Sequence, residues 1–414
     1  EQVMAMKTRH TLCMLLLAGG GLASHRAQAQ AAPLPAKPAP AKLLFDTRLR
    51  WEEVDDDFFA RRADAATLRL RLGYRTAQRS GWSGVVEFEG TTHLGGERYN
   101  SSDNGRTAYP AISDPDNAEI NQAYLDYAPS SASHLRLGRQ RLQYDNQRFI
   151  GNSGWRQNEQ TFDALDAQHR FANGLSLRYS WLGRVQRVFG ADNGNANLAR
   201  WQLDAHLLSV AHALGPGTLT GYGYFIENRS LPLTSHRDLG LRYVAAGNFP
   251  ANNDVAALGW TLAAELAHQG RYAHGSSVIG ARYSLLEAGL VWRGNSLKIG
   301  REVLGGDGSY AFQTPLATLH AFNGWDDRFL TTPANGLQDR SIGWSYKRGK
   351  VTTNLVWHEF RSDHARIDYG NECDASVSWA FAPHWNGMLK LAQFRAGNVG
   401  ADVGKRWLSV EYTY

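Results

Sequence analysis

The chain has only two cysteines, Cys13 and Cys373, and Cys13 falls in an N-terminal leader. The mature region therefore holds one thiol, which excludes an intramolecular disulfide and any cysteine-based metal site. Long apolar runs are missing too. A helix needs about 20 apolar residues to cross a bilayer core, and nothing after residue 29 approaches that length. A bundle of membrane helices is ruled out. Charge of one sign is weak, at +5 over 414 residues, and weaker still without Lys7, Arg9 and Arg26 of the leader. No basic patch or RNA-binding motif accompanies it, so nucleic acid is not an expected partner. Lysine is scarce beside arginine, whose planar fork suits carboxylates and phosphates.

The N-terminus carries an address. Lys7 and Arg9 follow Met6, a short apolar run spans Leu12 to Leu22, and Ala27-Gln28-Ala29 precedes Gln30. A charged start, a brief apolar stretch and an A-x-A site read as a cleaved secretory signal peptide. Residues 1–29 are assigned to it, with those before Met6 (or Met4) upstream of the start. Cys13 has no lipobox leading to it, so no lipoprotein is expected. Residues 30–42 form a Pro/Ala-rich tether, and 43–414 the folded unit.

From Leu43 onward, two-residue periodicity dominates. Leu68, Leu70, Leu72 and Tyr74 alternate with Arg69, Arg71, Gly73 and Arg75, and Leu408, Val410, Tyr412 and Tyr414 with Ser409, Glu411 and Thr413. These are strands, not helices. Short Gly/Ser/Pro turns at 78–81, 172–174, 215–217, 294–296, 348–350 and 382–384 alternate with long polar connections such as 94–118, 145–160, 189–199 and 305–337. Only 246–254 is too long for its turn slot. Abundant Gly, Trp and Tyr (42, 13 and 17) and a terminal aromatic, Tyr414, complete the pattern of a transmembrane barrel.

The expected fold is all-β: a transmembrane, antiparallel, up-and-down β-barrel of about 18 strands. Strand onsets are predicted near 43, 65, 82, 119, 134, 161, 175, 200, 218, 236, 255, 282, 296, 338, 350, 371, 385 and 405. Its place is the outer membrane of a Gram-negative cell, among lipid and lipopolysaccharide. Trp51, Trp201, Trp260, Trp292 and Trp357 are expected in interfacial girdles. A soluble all-β fold would have to bury the charged face of most strands, at prohibitive cost.

With the apolar face outside, the other face lines a lumen. Alternation places Arg48, Arg50, Glu52, Arg69, Arg71, Arg75, Glu87, Glu89, Asp126, Arg136, Arg178, Asp204, Arg242, Glu287 and Lys298 there. This is either a solvated wall of mutually paired charges or an electropositive constriction for an anionic solute. Catalysis has little support. His206, His236 and His358 fall on different strands without Ser-His-Asp spacing, and no cofactor motif is present. The acidic runs Asp55-Asp56-Asp57 and Ser113-Asp114-Pro115-Asp116 offer oxygen ligands for Ca²⁺ but lack EF-hand spacing, which favours solvated loop charges.

Two segments are too specific for plain wall: Gly138 to Asp163 and Gly300 to Pro333. Their Gly, aromatic and Arg content suggests ordered loops folded inward. The first carries Gly138-Arg139-Gln140, Gln147-Arg148-Phe149-Ile150-Gly151, Trp155-Arg156 and Phe162-Asp163. The second carries Gly305-Gly306-Asp307-Gly308, Phe312-Gln313-Thr314-Pro315-Leu316-Ala317-Thr318 and Trp325-Asp326-Asp327-Arg328-Phe329. These segments resemble the alginate export family. The resemblance implies a monomeric barrel whose Arg/Lys-lined constriction passes a polyuronate, with periplasmic secretion partners. By motif position it carries Arg139, Arg141, Arg148, Arg156 and Arg301 onto the solute path, beside Arg69, Arg71, Arg136, Arg178 and Arg242 from the alternation. One departure stands out. The family's exporter gates its periplasmic side with a long late turn, whereas Ala382-Pro383-His384 is too short to plug anything. The expected function is a channel for an anionic, uronate-type poly- or oligosaccharide. The alternatives are a general or small-anion porin and a barrel enzyme acting on lipid or protein.

Overall fold

The computed structural model describes residues 39–250 and 258–414; the leader and most of the tether lie outside them. Eighteen strands run in chain order. They are β1 (Lys42–Asp56), β2 (Ala63–Arg75), β3 (Trp82–His93), β4 (Asn117–Tyr127), β5 (Ser133–Gln140) and β6 (Thr161–Arg170). β7 (Ser176–Gln186), β8 (Arg200–Leu214), β9 (Gly217–Asn228), β10 (His236–Asn248), β11 (Gly259–Arg271) and β12 (Gly280–Trp292) follow. β13 (Asn295–Leu304), β14 (Leu337–Arg348), β15 (Val351–Arg361), β16 (Asp368–Ala382), β17 (Trp385–Ala396) and β18 (Val403–Thr413) complete the set. The largest offset from the expected onsets is at β11, predicted near 255 and beginning at Gly259.

Each strand pairs antiparallel with the next, and β18 pairs with β1 from Asp46↔Thr413 to Asp56↔Val403. The sheet is closed, so no edge is left with unpaired backbone groups, a requirement for any sheet in hydrocarbon. The long connections gather at the end of the barrel away from both termini, with tight turns at the other. The connection too long for its turn slot falls at 249–258, between the end of β10 at Asn248 and the start of β11 at Gly259, and 251–257 of it lie outside the described residues.

The alternation read in the sequence is the alternation of the wall. Leu70, Leu72, Phe88, Leu137, Leu241, Leu266, Leu286, Ile299 and Leu408 are exposed on the outer surface. Arg48, Arg50, Glu52, Arg69, Arg71, Glu87 and Glu89 are buried inside. A water-soluble fold shows the reverse; lipid is the solvent that this exterior fits. Trp51, Trp260, Trp292 and Trp357 share strand faces with outward aliphatics. Trp201 does not: it faces inward, buried with Leu203 and Ala205, and its indole donates to Asn197 O. At the turn end, Trp82 stacked on Tyr127 and the group Trp379, Phe381, Trp385 and Tyr412 join Trp260 and Trp292 in the girdle.

Candidate functional site

The interior is not left to the wall strands alone. The connection 141–160 carries Leu142, Tyr144, Phe149 and Ile150, all buried. Apolar side chains on a loop need a partner surface, and the inward aromatics of β9 and β12 supply one. Phe149 packs 5.5 Å from Tyr222 and 5.3 Å from Tyr283, and meets Phe312 of the second loop at 5.6 Å. The loops 141–160 and 305–336 join inside the barrel through a parallel bridge, Ile150↔Leu316. Gly151 N–H donates to Leu316 O and Thr318 N–H to Gln147 O. At this crossing a Cβ on Gly151 would lie 2.3 Å from Thr318 Oγ1, so only glycine fits.

Charged side chains lock this assembly to the wall. Arg148, 2% exposed, donates to both carboxylate oxygens of Glu302 on β13 and to Thr314 and Asn323 of the second loop. Arg156 pairs with Asp327 at 2.9 Å, and Lys405 of β18 reaches the same carboxylate. His320 stacks on Trp155, 4.3 Å between centroids. Lys390 of β17 lies over Trp155 and Trp325 and donates to His320 Nε2 at 2.7 Å. Lysine is donor-only, so Nε2 accepts and the His320 proton sits on Nδ1, facing Asp327 at 2.7 Å. Burial pushes the His320 imidazole well below its usual range, keeping it neutral despite Asp327. Burial alone would raise Asp327, but the hydrogen bond from His320 and the charges of Lys405 and Arg156 outweigh it and hold that carboxyl well below the usual range.

Asp326, next in the chain, is the opposite case. Burial and the neighbouring Glu372 push its carboxyl up to about 8, against the pull of Lys405. A carboxyl raised in the folded state stabilises below its unfolded pKa, and that contribution fades as pH rises through the folded value. The loop 305–336 is therefore expected to loosen as pH climbs from about 4 towards 8 and beyond. Single-channel current noise should be larger well above pH 8 than well below it, and Asp326→Asn should flatten the dependence. Identical wild-type traces on both sides of pH 8 would refute a role for this ionisation.

Eight of the ten predicted arginines face inward or lie in the inward loops, and each is paired with a carboxylate. Arg69 binds Asp46 and Glu411; Arg71 binds Glu89 and lies 3.6 Å from Glu159. Arg136 pairs with Asp126, Arg178 with Asp166 and Arg242 with Glu265. Arg141 reaches Glu87 and Glu159, Arg148 Glu302, and Arg156 Asp327. The other two are corrections. Arg139 shares its strand face with Leu135 and Leu137 and pairs with Asp163 at 2.7 Å, so it sits on the outer wall. Arg301 shares its face with Ile299, is exposed outward, and binds Gln338 at 3.2 Å. Asp204 is likewise outward, pairing with Arg229. Motif position gave Arg139 and Arg301 a role that strand parity denies, and Asp204, placed in the lumen by alternation, lies on a strand whose apolar side faces inward.

Arg48 and Arg50 matter more than the motif suggested. No carboxylate lies within ion-pairing distance of Arg48 among the described residues. Its guanidinium binds Gln157 Oε1 at 2.9 Å, Trp155 O at 3.0 Å and Arg156 O at 2.6 Å. Arg50 donates to Trp155 O at 2.8 Å, with Asp114 3.4 Å away and two donors unpartnered. Arg48 stands directly across from Arg69 in the β1–β2 register. The polar tip of the loop, 154–157, thus rests with its carbonyls on an arginine cluster. A second sector is acidic: Glu372 and Asp374 of β16 and Asp339 of β14 are buried and accept from Asp326 N–H, Trp325 N–H and Asn323 Nδ2 of the second loop. The acidic runs bind basic side chains of the chain itself. Asp55 pairs with Arg62, Asp56 with Arg328, Asp114 with Arg50 and Asp116 with His93. Among the described residues no cluster suited to a metal ion is found.

Comparison with known proteins follows the same lines. The family model described as alginate export matches residues 40–298, more than half of the chain. This chain belongs to the alginate export family. No curated protein sequence matches it. Among solved structures it is similar to Acinetobacter baumannii OccAB4, with TM-score 0.72 and 12% identity over 92% of this chain and 99% of that one. Pseudomonas aeruginosa OccK9 (OpdG) gives TM-score 0.69 and 14% identity over 90% and 98%. Pseudomonas aeruginosa OpdK, solved with vanillate, gives 0.68 and 12% over 90% and 98%. At such identities the likeness is one of fold. Family and fold together make this alginate-export barrel an outer-membrane channel rather than an enzyme.

Proposed function

We propose that this channel passes an anionic, uronate-type (alginate-like) poly- or oligosaccharide along the β1–β2 arginines. The observation that carries the reading is Arg48, a buried guanidinium without a carboxylate partner. Backbone carbonyls at 2.6–3.3 Å fill its donor positions, in the places where carboxylate oxygens of a solute fit equally well. Arg–carboxylate contacts are charge-assisted and directional, yet transport needs release. Arg48, without a carboxylate partner, and Arg50, with only Asp114 at 3.4 Å, offer contacts modest enough to pass a solute on, beside Arg69 and Arg71, which wall carboxylates already pair. OpdK, a similar barrel, was solved with vanillate, which is itself a carboxylate. Two residues, 383–384, join β16 to β17, so no late turn plugs the other mouth. With its sheet closed by its own strands, the chain is proposed to act as a monomer and to conduct without periplasmic partners.

The acidic sector of Asp339, Glu372 and Asp374 favours a second reading, a general or small-anion porin in which both signs line the water path. Blockade of ion current separates the two. Uronate oligomers should block the reconstituted channel at lower concentration than neutral oligosaccharides of equal length, and high salt should weaken the block. Equal blockade by both would sink the uronate reading.

A further inference from the structure

The outer wall carries a girdle of arginines at the long-loop end, just past the last exposed aliphatics of their strands. Most meet an acid beside them: Arg139 with Asp163, Arg229 with Asp204, Arg406 with Glu53, Arg340 with Glu359. One sector breaks the pattern. Arg237 of β10, His268 of β11 and Arg282 of β12 are exposed, and none has a side-chain hydrogen bond or ion pair among the described residues. His268 and Arg282 are direct neighbours across β11 and β12. Arg237 reaches over Gly270 to the same spot: a Cβ built there would lie 3.6 Å from Arg237 Nε and 3.7 Å from His268 Nε2. Two arginines and a histidine thus converge, and no acid pairs with any of them among the described residues.

Below them, towards the middle of the wall, lies a groove of about 970 Å³. Gly221, Leu239, Leu241, Leu266, Ser284 and Val303 line it, with His268 and Arg282 at its head. The groove opens on the outside, where Leu239, Leu241 and Leu266 are exposed; Tyr222, Ala267 and Tyr283 of the inward face also border it, whereas the inward charged groups Asp238, Arg242 and Glu265 do not. There is room for the groove because outward positions of β9 are Gly221 and Gly223, and the leucines of β10, Leu241 and Leu239, lean over them. Asp363 is the carboxylate at the rim, and Gln338 Nε2 engages it at 2.9 Å.

We infer that the outer wall of β9–β12 binds a phosphorylated, multiply acylated glucosamine lipid of the outer leaflet, of lipid A type. An acyl chain lies in the groove, where lipid-facing leucines continue the hydrocarbon, and a phosphate sits among Arg237, His268 and Arg282. Charge complementarity selects the head group: unpaired cations at the membrane–water boundary match an anion, and a guanidinium fork matches phosphate. The amphiphile's polarity matches the groove's, basic towards the long loops and apolar towards the bilayer centre.

The test is native mass spectrometry of the full barrel, delipidated and offered bisphosphorylated lipid A, its monophosphorylated form or phosphatidylglycerol. The wild type should retain one bisphosphorylated lipid A in preference to the other two. Arg237→Gln with Arg282→Gln should weaken retention by about tenfold or more, whereas Arg139→Gln, whose arginine is already paired, should not. Gly221→Phe, which fills the groove without touching charge, should also displace the lipid. The heat-dependent gel shift confirms that every variant is folded. Equal retention by wild type and the double variant overturns the inference. So does phosphatidylglycerol held as tightly as lipid A, or a second copy of the chain found covering Leu241 and Leu266 instead of lipid.

Discussion

Arg148→Ala is expected to raise the single-channel conductance of the reconstituted barrel severalfold and to add long-lived open levels. Arg148 is the pin of the inward loops, binding Glu302 on the wall, Thr314 and Asn323 on the neighbouring loop, and lying over the ring of Phe322. Removing one member of a buried ion pair costs about 3–5 kcal/mol because the other is left desolvated and unpaired. The closed sheet does not contain Arg148, so the loss falls on docking of the loops rather than on the barrel. Each 1.4 kcal/mol or so is a factor of ten in an equilibrium, and the docked arrangement should lose most of its population. Glu302→Ala should behave alike. Arg148→Met with Glu302→Leu should restore docking, since an apolar pair of similar volume leaves no stranded charge. Wild-type conductance and unchanged protease resistance of 141–160 in Arg148→Ala would show that the loops are held by other means.

Arg48→Gln combined with Arg50→Gln is expected to weaken blockade by uronate oligomers by about tenfold or more, with little change in blockade by neutral ones. A hydrogen bond to a charged group contributes about 1.5–3 kcal/mol, and two guanidiniums are removed where no nearby carboxylate already claims Arg48. Arg139→Gln is the control. Despite its motif position it lies on the outer wall against Asp163, and its loss should leave blockade untouched. An effect of Arg139→Gln equal to that of the Arg48/Arg50 pair would place the solute path elsewhere.

The barrel was legible in the sequence because its physics is local. Lipid outside and water inside impose alternation within each strand, and turn residues mark each reversal, so Leu68 to Arg75 and Leu408 to Tyr414 reveal their faces unaided. The inward course of 141–160 was legible too, since Phe149 and Ile150 on a loop need something to pack on. What no strand shows is the partner across the lumen. That Arg148 meets Glu302, or Arg156 meets Asp327, depends on segments more than 150 residues apart in the chain. Lys390 and Lys405 went unnoticed although parity marks them: each lies beside an exposed outward neighbour, Leu391 and Arg406. Arg139 and Arg301 erred the other way. Motif position put them on the path, while counting by twos from Leu137 and Ile299 puts them outside. Trp201 and Asp204 erred together: on β8 the apolar side (Trp201, Leu203, Ala205) packs inward and the polar side (Asp204, His206) faces out, the reverse of the rule that reads the other strands.

The reversal potential of the wild-type channel in a planar bilayer, under a potassium chloride gradient at neutral pH, tests the central claim most directly. The lumen holds a basic sector at β1–β2 and an acidic one at β14–β16, and the proposed function requires the basic sector to control permeation. The account predicts a potential of the sign given by chloride passing more readily than potassium, shrinking as salt screens the arginines. A potential of the opposite sign would mean that Asp339, Glu372 and Asp374 govern the path, and would contradict it.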